Sequence, residues 1–213
     1  MSHHQRAKLT KAKIVLLGGP SVGKSAFAVR YITRRFIGEY DANKEMVYHH
    51  KALLDKDEVA LEIVDTSNGD ENGLDQHIKN ADGFIVLYSV VERATFKTVD
   101  RFMSRVHHLK IGDHHRGFLP LVLVATKTDL EHVRKVTEEE TVAIGRRYGC
   151  PTYEVSVAEN PDGVFLVIQD LLRQIKREFL RNLAGLEKRS SPLDNMKRVF
   201  KKKITRSKSD TVC

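Results

Sequence analysis

An eight-residue turn, Gly18-Gly19-Pro20-Ser21-Val22-Gly23-Lys24-Ser25, lies between an apolar run, Lys13–Leu17, and a segment with helical spacing, Lys24–Thr33. It matches the pattern G-x-x-x-x-G-K-[ST], in the strand–turn–helix setting that gives the pattern meaning. A chain that leaves a strand and enters a helix in so few residues must curl tightly. Glycine permits the curl, so that successive backbone N–H groups face inward as an anion nest. The start of the following helix adds partial positive charge. Gly18, Ser21, Val22, Gly23, Lys24, Ser25 and Ala26 are therefore candidate phosphate-binding residues. Lys24 can reach outer phosphates, and the Ser25 hydroxyl can ligate Mg²⁺.

The rest of the chain alternates apolar strands with amphipathic helices. Tyr48–Leu54 and Val59–Val64 read as a strand pair joined by Asp55-Lys56-Asp57-Glu58. Phe84–Tyr88 and Leu121–Ala125 are short continuous apolar runs, the mark of central strands covered on both faces. Ala94–Leu109 has the spacing of one helix. Thr137 and Glu140 form a capping box before Val142–Tyr148, and Gly149 supplies a stop. Thr152–Val155 reads as the last strand and Pro161–Leu183 as the last helix. This order predicts an α/β fold with a mostly parallel sheet, one antiparallel edge strand and helices on both faces. Such sheets bind ligands at the carboxyl ends of their strands. That singles out the loops after Leu17, Val64, Ala125 and Val155.

The loop after Leu121–Ala125 reads Thr126-Lys127-Thr128-Asp129. A carboxylate there accepts two hydrogens from guanine, N1–H and the exocyclic amine, and adenine offers no such pair. A buried Asp129 would discriminate strongly, because unmatched polar groups are costly. The stem of Lys127 would pack on the base.

With these residues in place, the chain from about Lys11 to Leu183 resembles a Ras-superfamily small GTPase. It resembles the divergent Ras-like branch around the Ras-related estrogen-regulated growth inhibitor. The turn at 18–25, Asp65-Thr66, Thr126-Lys127-Thr128-Asp129 and Glu154-Val155-Ser156-Val157-Ala158 follow the family's order at similar spacing. Phe36-Ile37-Gly38-Glu39-Tyr40-Asp41 resembles the first switch. The resemblance implies a P-loop GTPase (G domain) with a six-stranded sheet. It also implies GTP or GDP and Mg²⁺ as cofactors, and effector and regulator proteins as partners at the switch regions. Ser25 and Asp65 would hold Mg²⁺, with Asp65 acting through water. Phe36 would lie by the guanine edge, Asp129 would read the base, and Thr126 would brace its loop where Asn is usual. Ser156, Val157 and Ala158 would contact the base, although Val-Ala replaces the family's Ala-Lys.

Three departures bear on catalysis. Asn43 stands where the family has the switch Thr, so its side-chain oxygen becomes the candidate metal ligand. Asp65-Thr66-Ser67-Asn68-Gly69-Asp70-Glu71 lacks the Gln that orients attacking water. With a one-residue insertion, Gly69 matches the γ-phosphate glycine and Asp70 replaces Gln; without it, Asn68 stands at the glycine. Gly69, Asp70 and Lys24 are the candidate catalytic positions, and either alignment implies slow hydrolysis. Pro20 occupies a usual glycine, where a side chain obstructs an arginine finger. A scaffold that binds nucleotide without hydrolysis is the alternative function. An ATP-using P-loop kinase fits less well beside Asp129.

Composition adds exclusions. Residues 1–175 hold 24 Lys+Arg and 24 Asp+Glu, whereas 176–213 hold 12 and 4, so the whole +8 belongs to the last 38 residues. A neutral globule with a basic tail argues against a nucleic-acid-binding domain. The expected divisions are 1–10 as a flexible N-terminus, 11–183 as the G domain and 184–213 as a basic, disordered tail. Two cysteines, Cys150 and Cys213, make no disulfide framework and suit a reducing compartment. Eight of ten histidines are adjacent pairs, which diverge in direction and read as solvated rather than as metal ligands. Met1 to Lys13 is polar and basic with no apolar run, so no secretory signal is expected, and with Asp210 fourth from the last residue no C-a-a-X prenylation is expected. A cytoplasmic monomer is expected. The tail's Lys197, Arg198, Lys201, Lys202, Lys203, Arg206 and Lys208 fit a solvated segment, weak contact with an anionic inner membrane face, or a nuclear-import patch.

Overall fold

The computed structural model of the chain describes residues 7–36, 45–66, 71–111 and 118–189. Its elements run β1 (Lys11–Leu17), α1 (Lys24–Thr33), β2 (Met46–Leu54), β3 (Asp57–Asp65), α2 (Glu71–Asn80), β4 (Gly83–Ser89), α3 (Arg93–Lys97), α4 (Val99–Ile111), β5 (Leu121–Thr126), a 3-10 turn (Thr128–Val133), α5 (Glu138–Tyr148), β6 (Thr152–Val155) and α6 (Pro161–Arg189). Every residue of β4 and β5 is buried, which is why these strands read as unbroken apolar runs.

One six-stranded sheet has the order β2-β3-β1-β4-β5-β6. Only β2 is antiparallel, pairing with β3 along its whole length; the other neighbours are parallel. The expected α/β class and sheet are therefore present. The β2–β3 connection is tighter than the four residues expected. Asp55 and Lys56 both take positive φ, 51° and 72°, as a two-residue hairpin turn requires. β3 accordingly starts at Asp57 rather than Val59.

Helices cover both faces. On one, Leu74 and Ile78 of α2 and Phe102, Met103 and Val106 of α4 pack with Val15, Leu17, Val64, Phe84, Val86 and Tyr88. The other is closed by α1 and α6. A Cβ added to Gly83 would lie 2.8 Å from Ile175 Cδ1, so α6 rests directly on the β4 backbone.

One helical expectation needs correction and another is met. Ala94–Leu109 is not one helix, because Thr98 separates α3 from α4. Its N–H bonds to Thr95 O at 3.2 Å and its hydroxyl donates to that carbonyl at 2.7 Å, tightening the turn. The expected capping box of α5 is formed, with Thr137 Oγ1 accepting from Glu140 N and Glu140 Oε2 accepting from Thr137 N.

The chain divides into one unit of Met1–Lys176 and another of Arg177–Cys213. Of the second, residues 177–189 are described, and Arg181 pairs there with Glu178 at 2.8 Å. Among the described residues, no helix is long and apolar enough to cross a membrane.

Candidate functional site

The turn between β1 and α1 alternates its handedness. Ser21 (φ 55°) and Gly23 (φ 95°) take left-handed backbone, and Gly18 has φ 151°. A Cβ on Gly18 would sit 2.4 Å from the Leu87 carbonyl oxygen, so the close approach of β4 demands glycine there. Gly23 caps α1 with no side-chain hydrogen bond, and the first turn carries no acidic residue. The helix ladder begins with Phe27 N donating to Gly23 O at 2.8 Å. The N–H groups of Lys24, Ser25 and Ala26 precede that bond, so they are the donors an α-helix leaves over for an anion.

Lys24 is nearly buried, and its ammonium donates to the carbonyls of Gly18 and Gly19 at 2.9 and 3.1 Å. Burial lowers its pKa, and the negative charge of Asp65 opposes that shift. Asp65 ends β3 opposite Leu16 of β1, which places it beside the turn. Burial pushes its carboxyl up; a hydrogen bond from Ser25 and the Lys24 ammonium pull it down, and Glu45 pushes it further up. Ser25 and Asp65 are thus in direct contact. A hydroxyl and a carboxylate are hard oxygen donors, and a carboxylate with one hydroxyl partner keeps lone pairs to spare. The set fits Mg²⁺, which takes few protein ligands alongside water and phosphate oxygens. The next residue, Thr66, is fixed by its hydroxyl donating to Leu16 O at 2.7 Å. Asn43, Gly69 and Asp70, with Ser67 and Asn68, lie outside the described residues.

The far end of the site is set by β5 and β6. Thr126 is buried, with its hydroxyl 2.7 Å from Val22 O and 2.9 Å from Tyr88 O. It therefore links the β5 loop to the anion nest. Lys127 follows at φ 61°, turning the chain into the 3-10 segment that carries Asp129. Contrary to the buried Asp expected, Asp129 is exposed, because it projects from a short surface turn after the strand has ended. Lys127 is half-buried and Phe36 exposed. Ser156 and Val157 are buried in the loop after β6, where Ser156 Oγ accepts from Glu159 N at 3.0 Å.

Two tethers that the sequence reading missed hold this end. Arg134 donates through both terminal nitrogens to the Glu154 carboxylate at 3.0 and 2.8 Å, and through Nε to Glu131 at 2.7 Å. The fork ties the 3-10 turn to β6. Arg30 of α1 donates to Ala158 O at 2.9 Å. Arg134 and Glu154 are 20 residues apart with α5 between them, and Arg30 and Ala158 are 128 apart, so no local pattern announces either pair.

The sequence model of the Ras family matches residues 13–177. The chain belongs to the Ras family. It is 31% identical over 205 residues to the human Ras-related and estrogen-regulated growth inhibitor, covering 95% of this chain and all of that protein. It is 31% identical to the mouse GTP-binding protein Rit1 over 92% of this chain and 88% of that one. It is 30% identical to Ras-like protein family member 11B of Xenopus tropicalis over 91% and 83%. As a Ras-family member it has the P-loop GTPase fold, and its family binds guanine nucleotide with Mg²⁺ and hydrolyses GTP. Relatives at about 30% identity make it a divergent member.

Proposed function

We propose that this chain is a small monomeric signalling protein that binds GTP and GDP with Mg²⁺ and hydrolyses GTP slowly. One observation supports the reading most: a single end of the sheet gathers the uncapped α1 nest, the Ser25–Asp65 pair and the exposed Asp129 carboxylate. A ligand with phosphates at one end and a guanine at the other matches that set.

In this reading the N–H groups of Ser21 to Ala26 hold the phosphates. Lys24 leaves the Gly18 and Gly19 carbonyls to neutralise negative charge on the outer phosphates. Ser25 and Asp65 would hold Mg²⁺, with Asn43 a third ligand, and the ion's contribution is neutralisation of phosphate charge. Asp129 accepts the N1–H and amine hydrogens of guanine, and a bound base covers the carboxylate from water. Lys127 and Phe36 flank the base, Thr126 braces its loop, and the Ser156–Ala158 backbone meets its oxygen edge. Water positioning is a main contribution of the protein to phosphoryl transfer. With the insertion Asp70 stands in place of Gln, and without it Gly69 does; neither side chain provides an amide for that task. The same departure favours the scaffold alternative, in which nucleotide is held without useful turnover. Pro20 is exposed at the lip of the nest, where it obstructs an incoming arginine finger.

Effectors and regulators would meet the switch regions. The basic tail would supply weak, salt-sensitive contact with anionic membrane to a cytoplasmic protein.

Extraction and chromatography of nucleotide from purified protein tests the reading. Bound GDP or GTP supports it. ATP, or an empty protein indifferent to added guanine nucleotide, refutes it. Single-turnover hydrolysis is then expected at or below ~5 × 10⁻⁴ s⁻¹, the intrinsic scale of Ras itself. Addition of a Ras activating protein should leave that rate unchanged.

A further inference from the structure

Arg30 stands seven residues into α1, on the helix whose first turn forms the phosphate end of the site. Its guanidinium faces the other end. One terminal nitrogen donates to Ala158 O at 2.9 Å, and the other reaches Arg34 O at 3.2 Å, just past the end of α1. Its Nε is buried and has no hydrogen-bond partner among the described residues. A buried unsatisfied donor is unfavourable, so the side chain is held in place by its two terminal bonds at the expense of the third group.

What those bonds hold is the loop after β6. Within that loop Asn160 N donates to Ser156 O at 2.8 Å, and Ser156 Oγ accepts from Glu159 N. These close the turn on itself but do not fix it to the rest of the site. Among the described residues, Arg30 supplies the hydrogen bond joining the turn to α1. The residue it grips is Ala158, whose methyl side chain offers no polar group for the purpose.

We infer that Arg30 is a positioning residue for the base end of the nucleotide site. By fixing the Ala158 carbonyl it sets where the Val157 and Ala158 N–H groups stand against the oxygen at C6 of guanine. It also makes α1 a rigid strut between the phosphate nest and the base loop, so that the two ends grip one nucleotide together. The inference rests on the proposed guanine-nucleotide binding. Asp129 lies on a different loop, braced by Thr126 and Arg134, so recognition of the N1–H and the 2-amino group should not depend on Arg30.

That separation gives the test. Full-length wild type, Arg30→Met and Arg30→Lys are loaded with GDP, 6-thio-GDP (a weaker acceptor at C6) or IDP (no 2-amino group), and release rates and melting temperatures are measured. Arg30→Met keeps the aliphatic stem and removes the donors. It is expected to release GDP about tenfold faster and to lose most of the preference for GDP over 6-thio-GDP. Its preference for GDP over IDP should not change. Arg30→Lys keeps a single ammonium and should fall between the two. If Arg30→Met melts too low to load, Arg30→Lys carries the same comparison. Release and preferences equal to wild type overturn the inference. So does acceleration by one common factor for all three nucleotides, which would mark a purely structural residue. A wild type that binds none of them overturns the proposed function itself, and this inference with it.

Discussion

At the scale of single residues, the site depends on side chains that hold backbone in place. Thr126 is the clearest. Its hydroxyl lies within hydrogen-bond distance of Val22 O in the anion nest and Tyr88 O in β4. Valine has nearly the same shape and no donor. Thr126→Val would leave a buried carbonyl unsatisfied, a loss of ~1–3 kcal/mol in unfolding free energy. Urea unfolding should show this loss without a change in denaturant slope, and nucleotide release should quicken because Val22 is no longer held. Unchanged stability and release would assign the bracing elsewhere. Lys24, Ser25 and Asp129 stand out from the sequence because each sits in a short pattern beyond a strand whose chemistry asks for that residue type, whereas Asp65 and Thr126 are pointed to by the family resemblance. The exposure of Asp129 was not legible, because a sequence gives residue identity but not how far a turn lifts it from the strand end. Arg30 and Arg134 were illegible for a different reason. An arginine on a helix or loop reads as a solvated charge until its distant partner is placed beside it.

At the scale of elements, the strands and α1, α5 and α6 were readable, whereas α2 and the break between α3 and α4 were not. Among the residues of α2 whose burial is described, Leu74 and Ile78 alone are buried, and Gly73 lies in its first turn, so it lacks the repeated apolar stripe that announces a helix. Its place comes from tertiary contacts: those two residues in the core, Asp75 paired with Arg105 of α4 at 2.6 Å, and His77 paired with Glu45 at 2.9 Å. Helix packing also sets a pH dependence. His107 of α4 packs against Tyr148 of α5 with ring centroids 5.4 Å apart, and its Nε2 is buried with no partner among the described residues. The Tyr148 hydroxyl is engaged by Ser104 and Asp100, and Arg147 pairs with Asp100. Burial lowers the His107 pKa below 6.5. Between the folded and unfolded values the unfolded chain binds more protons, so stability rises with pH in that window. The contribution is complete above about pH 6.5 and is lost as pH falls toward the folded value. Wild type should therefore lose more unfolding free energy between pH 7.5 and 5.5 than His107→Phe, which keeps a ring and cannot titrate. Equal losses in the two proteins would remove His107 from the account.

At the scale of the whole molecule, charge is partitioned. Residues 1–175 balance at 24 positive and 24 negative, and 176–213 carry the excess of 12 over 4. A membrane with anionic lipid therefore meets no net repulsion from the larger part and attraction from the smaller. Each basic residue near such a surface contributes ~1 kcal/mol, and the field decays within a Debye length of about 8–10 Å. Binding by the tail should consequently be reversible, absent from neutral vesicles and weakened steeply by salt. Reversing Lys201, Lys202 and Lys203 to Glu together removes three attractions and adds three repulsions. The expected loss is at least ~3 kcal/mol, more than a hundredfold in vesicle partitioning at ~1.4 kcal/mol per decade. Nucleotide release and GTP hydrolysis should be the same in this variant as in wild type, because no site residue proposed above lies in the tail. Co-sedimentation with phosphatidylserine vesicles at 50 and 300 mM salt separates the possibilities. Partitioning that ignores both salt and the three reversals would mean that the basic tail is not what meets the lipid. If nucleotide release changes with the reversals, the tail acts on the site, and the neutrality of residues 1–175 ceases to be the relevant partition.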